Sequence, residues 1–402
     1  MKIGIWLNPD YSPTEGGGFS YYDRLIKGID KYTFSEELEI CFITTSQNHI
    51  ELKHPVISLF FSYNVSGCEK LKCHIPLLRG RTRKRIATQT DRERKFSYTQ
   101  TLKKNDVRII FYPTPYMCEL PDFPFVTTHW DIGHRSTFIF PEVAEGTIFY
   151  DRENFYNNIL PKALLILTES NSGRQELINY THLNPNRIKV VPLFAGDSAS
   201  VEPDSKRQQT ILQQLKLEEK KYFYYPAQFW AHKNHYTLLK AFSLLKNKYS
   251  DYKLVFSGSD QGNLNYIKQV VDTLCLNDNV VFAGFISIEA VNTLYHNTVA
   301  MVMPTLMGPT NMPLLEAMEL GCPVICSDLP GHREELGDAA IYINPSSEED
   351  ISQAMETMIK QREDYVKKIN EQREKSVFRL ENALEAINTH LHNAVSIREC
   401  WE

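Results

Sequence analysis

The chain reads as two doubly wound α/β domains whose parallel sheets face each other across a cleft. Three observations predict this. Short apolar runs alternate with helical stretches from residue 2 to residue 328. Several of these runs are apolar throughout, as strands buried on both faces are. The alternation pauses once, in the polar stretch LFAGDSASVEPDSKRQQ, and then restarts. With 402 residues there is enough chain for two cores.

In the first domain, residues 1–195, KIGIWL is the opening strand. The loop NPDYSPTEGGG follows, and a helix is expected from about Phe19. ELEICFIT, VRIIFYP, FPFVTT, ALLILTES and IKVVPL are the further strands, bounded by turn residues or helix caps. The second domain, residues 196–379, repeats the pattern with YFYYPA, YKLVFSG, NVVFAGF, VAMVMP and PVICSD. Between its first two strands, Leu238, Leu239, Phe242 and Leu245 share one helix face. Beyond Pro345 the chain is polar and helical, and its last stretch, about residues 380–402, is expected to pack back on the first domain.

Composition narrows the class. An apolar fraction of 42% and a charged fraction of 23% belong to a folded chain. The apolar run before Asn8 is too short for a signal peptide, and no 18 apolar residues run together, so a cytoplasmic protein is expected. Eight scattered cysteines without a CxxC pair read as free thiols, not zinc ligands. The formal net charge of -5 is uneven: residues 79–108 hold eleven basic and three acidic side chains, which leaves the remainder at -13. That window is either a solvated helix pair or a patch that meets anionic lipid or phosphate, and it lacks the interleaved aromatics of a single-stranded nucleic-acid surface.

Ligands bind open parallel sheets at the carboxyl ends of their strands, so chemistry belongs in the loops that follow strands. Gly16, Gly17 and Gly18 follow the first strand and would let backbone amides approach a phosphate. A dinucleotide fingerprint fails there: the third glycine is missing, and the second strand ends in threonines instead of an acid. In FVTTHWDIGH, His129, Asp131 and His134 stand at a strand end as acid–base or sugar-hydroxyl partners. In YPAQFWAHKNH, Lys233 precedes Asn234, a helix cap; a lysine at that end of a helix dipole calls for an anion between them. In MVMPTLMGPTNMPLLEAMELGCPVICSD, Asn311, Pro313, Gly321 and Pro323 punctuate a short helix over 312–320. Gly308, Pro309, Thr310, Asn311 and Met312 then form a loop whose backbone N–H groups, Pro309 having none, face the cleft, and both oxygens of Glu316 can take vicinal ribose hydroxyls.

The stretch PTLMGPTNMPLLEAMELGCPVICSDLPGHREELGDAAIYINP resembles the donor-binding signature of the retaining GT-B glycosyltransferases of family 4. AQFWAHKNH is similar to that family's diphosphate-neutralising segment, THWDIGHR to its first-domain histidine and aspartate loop, and TESNSGRQEL to its serine-capped segment. The chain departs twice from the pattern. Gly308 stands where the first of two glutamates is expected, and Gln228 stands for an arginine.

The resemblance implies a GT-B fold and transfer of a hexosyl unit, with retention, from a UDP- or GDP-linked sugar to a saccharide or lipid-linked saccharide in surface polysaccharide assembly. It implies no protein nucleophile, no metal and no cofactor beyond the donor itself. Lys233, the 312 helix and Gly16 to Gly18 would stabilise the departing diphosphate, Glu316 would hold the ribose, and His129, Asp131 and His134 would position sugar and acceptor. From charge alone, and not from the resemblance, residues 79–108 are expected to meet the inner membrane face, and no nucleic-acid partner is expected. A nucleotide-sugar-binding protein without transfer activity, and a sugar-nucleotide epimerase on the same fold, are the alternatives.

Overall fold

The computed structural model describes residues 1–8, 17–46, 51–62, 76–115, 118–137 and 139–401, with residues 17–19 and 76–82 as backbone. Two parallel sheets organise them. The first holds β1 (Lys2–Trp6), β2 (Glu39–Thr44), β3 (Val56–Ser58), β4 (Val107–Tyr112), β5 (Phe125–His129), β6 (Leu165–Thr168) and β7 (Ile188–Val190), in the order β3-β2-β1-β4-β5-β6-β7. The second holds β8 (Tyr222–Pro226), β9 (Lys253–Ser257), β10 (Val280–Gly284), β11 (Met301–Met303), β12 (Val324–Ser327) and β13 (Ala340–Ile343), in the order β10-β9-β8-β11-β12-β13.

The apolar runs became strands because both sheet faces are covered. Every residue of β5, β6, β11 and β12 is buried. Two edge strands carry no such signal: β3 is half-buried throughout, and β13 is half-buried at its centre. Both are absent from the strands expected above.

Helices connect the strands: α1 (Gly17–Lys31), α2 (Pro76–Lys104), α3 (Gly133–Ser136), α4 (Pro141–Ala144), α5 (Ile148–Asn154), α6 (Asn171–Tyr180), α7 (Ser205–Gln214), α8 (His235–Lys246), α9 (Leu264–Thr273), α10 (Ile288–Asn297), α11 (Met312–Glu319), α12 (Pro330–Leu336), α13 (Glu348–Lys375) and α14 (Leu380–Arg398). Helix α14 lies on the first domain. The Asn388 side chain accepts from the Ser35 amide at 3.0 Å, and His390 Nε2 donates to the Val190 carbonyl at 3.1 Å.

Strand order sets where a ligand can sit. In each sheet the chain first winds one way, then crosses to the other side, and the loops diverge at that crossing. The crossing falls between β1 and β4 in the first sheet and between β8 and β11 in the second. The loops after β8 and β11 hold Lys233 and Gly308 to Asn311.

Candidate functional site

Lys233 ends a 3-10 turn, Ala231–Lys233, in the loop between β8 and α8. Asn234 follows in the left-handed region at φ 58° and caps α8, its Oδ1 accepting from the Thr237 hydroxyl at 2.7 Å. The Asn234 amide nitrogen donates to the carbonyls of Pro304 at 3.0 Å and Pro345 at 2.7 Å, so this cap also pins the loop after β11. Leu306 N–H donates to the His232 carbonyl at 2.8 Å and joins the two loops again.

The orientation of Asn311 follows from a histidine. His332 Nδ1 is 2.7 Å from the Ser327 carbonyl, an acceptor only, so Nδ1 carries the proton and Nε2 presents a lone pair. Burial drops the His332 pKa to about 4 and keeps the ring neutral. Asn311 Nδ2 therefore donates to Nε2 at 3.0 Å, which turns Oδ1 toward Lys233, whose ammonium donates to it at 2.8 Å. Asn311 occupies the N-cap position of α11 but makes no side-chain cap bond; Lys233 and His332 take both ends of its amide instead. Burial lowers the Lys233 pKa to about 8, against the fields of Glu142 and Asp131 from the first domain.

Gly308 sits at φ +118°, where a side chain is strained. An acid at this position would not fit the same turn. Close by, α12 comes so near the loop that a Cβ on Gly331 would lie 1.3 Å from the Pro309 carbonyl oxygen. Pro309, Thr310 and Met312 are half-buried along the same loop.

Glu316 turns inward. Its Oε2 accepts from the Tyr295 hydroxyl at 3.0 Å, and Oε1 lies where a Cβ on Gly196 would come within 2.5 Å. Burial raises its pKa, and the hydroxyls of Ser198 and Tyr295 and the charge of Arg24 pull it back. The inter-domain segment at Ala195, Gly196 and Asp197 is held by α1. Arg24 donates to the carbonyls of Ala195 at 2.5 Å and Gly196 at 2.9 Å, and Asp197 N–H donates to the Ser20 hydroxyl at 2.5 Å. Gly17 and Gly18 open α1, two residues before the expected start; Gly16 lies outside the described residues.

Gln228 is engaged at both ends, donating to Ser259 at 3.1 Å and accepting from Trp230 at 3.0 Å. On the first-domain side, His129 ends β5, buried, against Tyr156 at 5.6 Å, and burial lowers its pKa to about 4. Burial also opposes charge on Asp131, but Arg152 at 2.9 Å and the Gly133 amide at 3.0 Å win and hold its carboxyl below the usual range. His134 turns the other way, its Nε2 3.0 Å from Glu153 Oε1, in a pair that Arg135 shares. The structure thus brings Lys233, Asn311, His129 and Asp131 to one junction and places His134 in a salt-bridge network beside it.

Three contacts across the junction have no sequence signal of their own. Glu142 Oε1 accepts from the His232 backbone N–H at 2.9 Å and meets the His232 ring. Glu334 caps α6 from the other domain, accepting from the amides of Asn171 at 2.8 Å and Ser172 at 2.7 Å. Met307 crosses to Thr137, whose hydroxyl lies 3.7 Å from its sulfur, over Gly133, where a Cβ would be 2.4 Å from that sulfur. Among the described residues no group of three His, Cys, Asp or Glu side chains is placed to hold a metal ion.

Comparison with known proteins agrees with this architecture. Residues 207–375 match the family described as Glycosyl transferases group 1. The O-antigen chain mannosyltransferase RfbU of Salmonella typhimurium is 28% identical over 225 residues, 55% of this chain and 61% of the relative. The chain thus spans about three fifths of the length of that curated relative. Among solved structures, a glycosyltransferase from Rickettsia africae superposes with a TM-score of 0.68 at 15% identity, covering 98% of both chains. Alr3699/HepE of Anabaena in complex with UDP-glucose superposes with a TM-score of 0.67 at 15% identity, covering 98% of this chain and 100% of that one. The chain has the GT-B fold, and its second domain is similar to the glycosyl transferases group 1 family over residues 207–375.

Proposed function

We propose that the protein is a retaining glycosyltransferase that moves a hexosyl unit from a UDP- or GDP-linked sugar to a hydroxyl of a saccharide or lipid-linked saccharide in surface polysaccharide assembly. The observation that carries this reading is the Lys233 ammonium, half-buried at the crossing of the second sheet and held by an asparagine whose orientation His332 fixes. A preorganised cation at a strand-to-helix loop is what a departing diphosphate needs.

Each role follows from position. Lys233 and the amides at the start of α11 take the negative charge that grows on the diphosphate. Glu316 clasps the ribose hydroxyls. His129 and Asp131 face the junction from the first domain and orient the hexosyl ring and the acceptor hydroxyl, whose proton passes to the leaving diphosphate on the same face. No metal has a role in this scheme. The mannosyltransferase names among the relatives and the UDP-glucose complex of a structural neighbour make GDP-mannose and UDP-glucose the first donors to try.

Helix α2 supports a membrane-surface partner. No side chain between residues 83 and 97 is buried, and the helix docks through Tyr98 and Leu102 near its end. No helix among the described residues is long and apolar enough to cross a membrane.

The test is release of nucleoside diphosphate from GDP-mannose and UDP-glucose by the purified protein, with and without a lipid-linked saccharide acceptor. Release from one donor, stimulated by acceptor, supports the reading. Binding without release favours the non-catalytic alternative, and conversion of the donor sugar without acceptor favours the epimerase.

A further inference from the structure

Three buried polar side chains at the domain junction keep atoms that nothing among the described residues satisfies. Glu169, directly after β6, and Glu335, in α12, are 3% and 0% exposed, and Oε2 of each has no hydrogen-bond partner. His129 is 1% exposed, and neither ring nitrogen is paired. His129 and Thr168 are register partners on neighbouring strands, so His129 and Glu169 leave adjacent strand ends on the first-domain side. Glu335 comes from the second domain, and its Oε1 accepts from the Asn311 amide at 3.4 Å.

Asn311 links these groups to the diphosphate site. Its side chain holds Lys233, and its backbone N–H holds Glu335. A donor whose diphosphate meets Lys233 would therefore bring its hexosyl ring within one residue of Glu335. Burial pushes the carboxyl of Glu335 well above its ordinary range and the field of Glu169 adds to this; burial does the same to Glu169, with Glu176 and Asp131 adding to it. A neutral carboxyl both donates and accepts, which suits sugar hydroxyls and gives no attraction for phosphate. Buried polar atoms left unsatisfied destabilise a fold, and a ligand hydroxyl would remove that cost.

We propose that Glu335 and Glu169, one from each domain, bind hydroxyl groups of the donor's hexosyl ring, with Glu335 selecting which hexose is accepted. The proposal rests on the reading of the junction as a nucleotide-sugar site. The ring enters when the domains part, since all three groups are closed off in the structure.

The near-isosteric variants Glu335→Gln and Glu169→Gln test it. Calorimetry is run on GDP, GDP-mannose, UDP and UDP-glucose with the unmodified chain and both variants, and melting temperatures are recorded alongside. The expected result for Glu335→Gln is unchanged affinity for the nucleoside diphosphate and a loss of about tenfold or more for the matching nucleotide sugar. Glu169→Gln should show the same split. Equal affinities for diphosphate and sugar-diphosphate in every variant overturn the proposal while leaving the diphosphate site standing. Equal losses for both ligands, with a lowered melting temperature, assign the pair a structural role and also overturn it. Absence of binding of all four compounds to the unmodified chain removes the nucleotide-sugar reading itself and the proposal with it.

Discussion

The Tyr295 hydroxyl donates to Glu316 Oε2 at 3.0 Å and lies 3.2 Å from the Pro313 carbonyl, so a buried tyrosine on α10 holds the acid on α11. Tyr295 packs edge-on against Tyr224, which fixes its ring. Loss of the hydroxyl leaves Glu316 buried with one donor fewer, and its proton is held more tightly. Tyr295→Phe should weaken nucleoside-diphosphate binding about tenfold at neutral pH. The loss should shrink as pH rises and Glu316 ionises; equal affinity to the unmodified protein at every pH would remove Tyr295 from the site.

Lys233 should impose a pH limit. Burial lowers its pKa from 10.5 to about 8, so the folded, ligand-free protein loses the ammonium between those values while the unfolded chain keeps it. In that window the unfolded state binds more protons, and the contribution of Lys233 to stability rises with pH. Donor capture runs the opposite way, because it needs the cation. kcat/KM for the donor should fall above about pH 8, and kcat should hold to higher pH, since bound diphosphate stabilises the ammonium. A donor kcat/KM that stays level to pH 10 would contradict the assignment.

Gly196 should tolerate no side chain. A Cβ there would meet Glu316 Oε1 at 2.5 Å, the Ser20 hydroxyl at 2.9 Å and Met312 Sδ at 3.4 Å. Gly196→Ala must push the Glu316 carboxyl group or α1 aside. It should cost about 1–3 kcal/mol of stability and weaken nucleotide binding. Denaturant unfolding and calorimetry read the two effects, and a variant unchanged in both would show that Glu316 does not need this approach.

Helix α2 should drive surface binding if it meets anionic lipid. Replacing Lys84, Arg85 and Arg92 with Glu should abolish flotation with phosphatidylglycerol vesicles. The unmodified protein should float at low salt and be released as salt screens the contact. Absence of flotation by the unmodified protein would leave α2 as a solvated helix.

The elements read from the sequence succeeded where burial was two-sided. β1, β4 and β8 appear as apolar runs because both of their faces are covered, and Asn234 was visible as a cap because its chemistry is local. β3 and β13 escaped notice because edge strands with half-buried residues carry no such run. The site divides along the same line. Lys233 and Glu316 are marked by the helix starts beside them. Glu142 meets His232 across 90 residues, and Glu169 and Glu335 matter only because α12 closes on the end of β6. No local pattern encodes such meetings. The side chain of Asn311 fits a cap by sequence, yet the neutral ring of His332 and the charge of Lys233 take it first.

Calorimetric titration of GDP and UDP into the unmodified protein and into Lys233→Ala measures directly whether the Lys233 cation holds a diphosphate. One nucleotide should bind the unmodified chain, and the variant should lose about tenfold or more in affinity for it, because a charge-assisted contact to phosphate is gone. Equal affinity in the two proteins, or no binding of either nucleotide to the unmodified chain, would contradict this assignment.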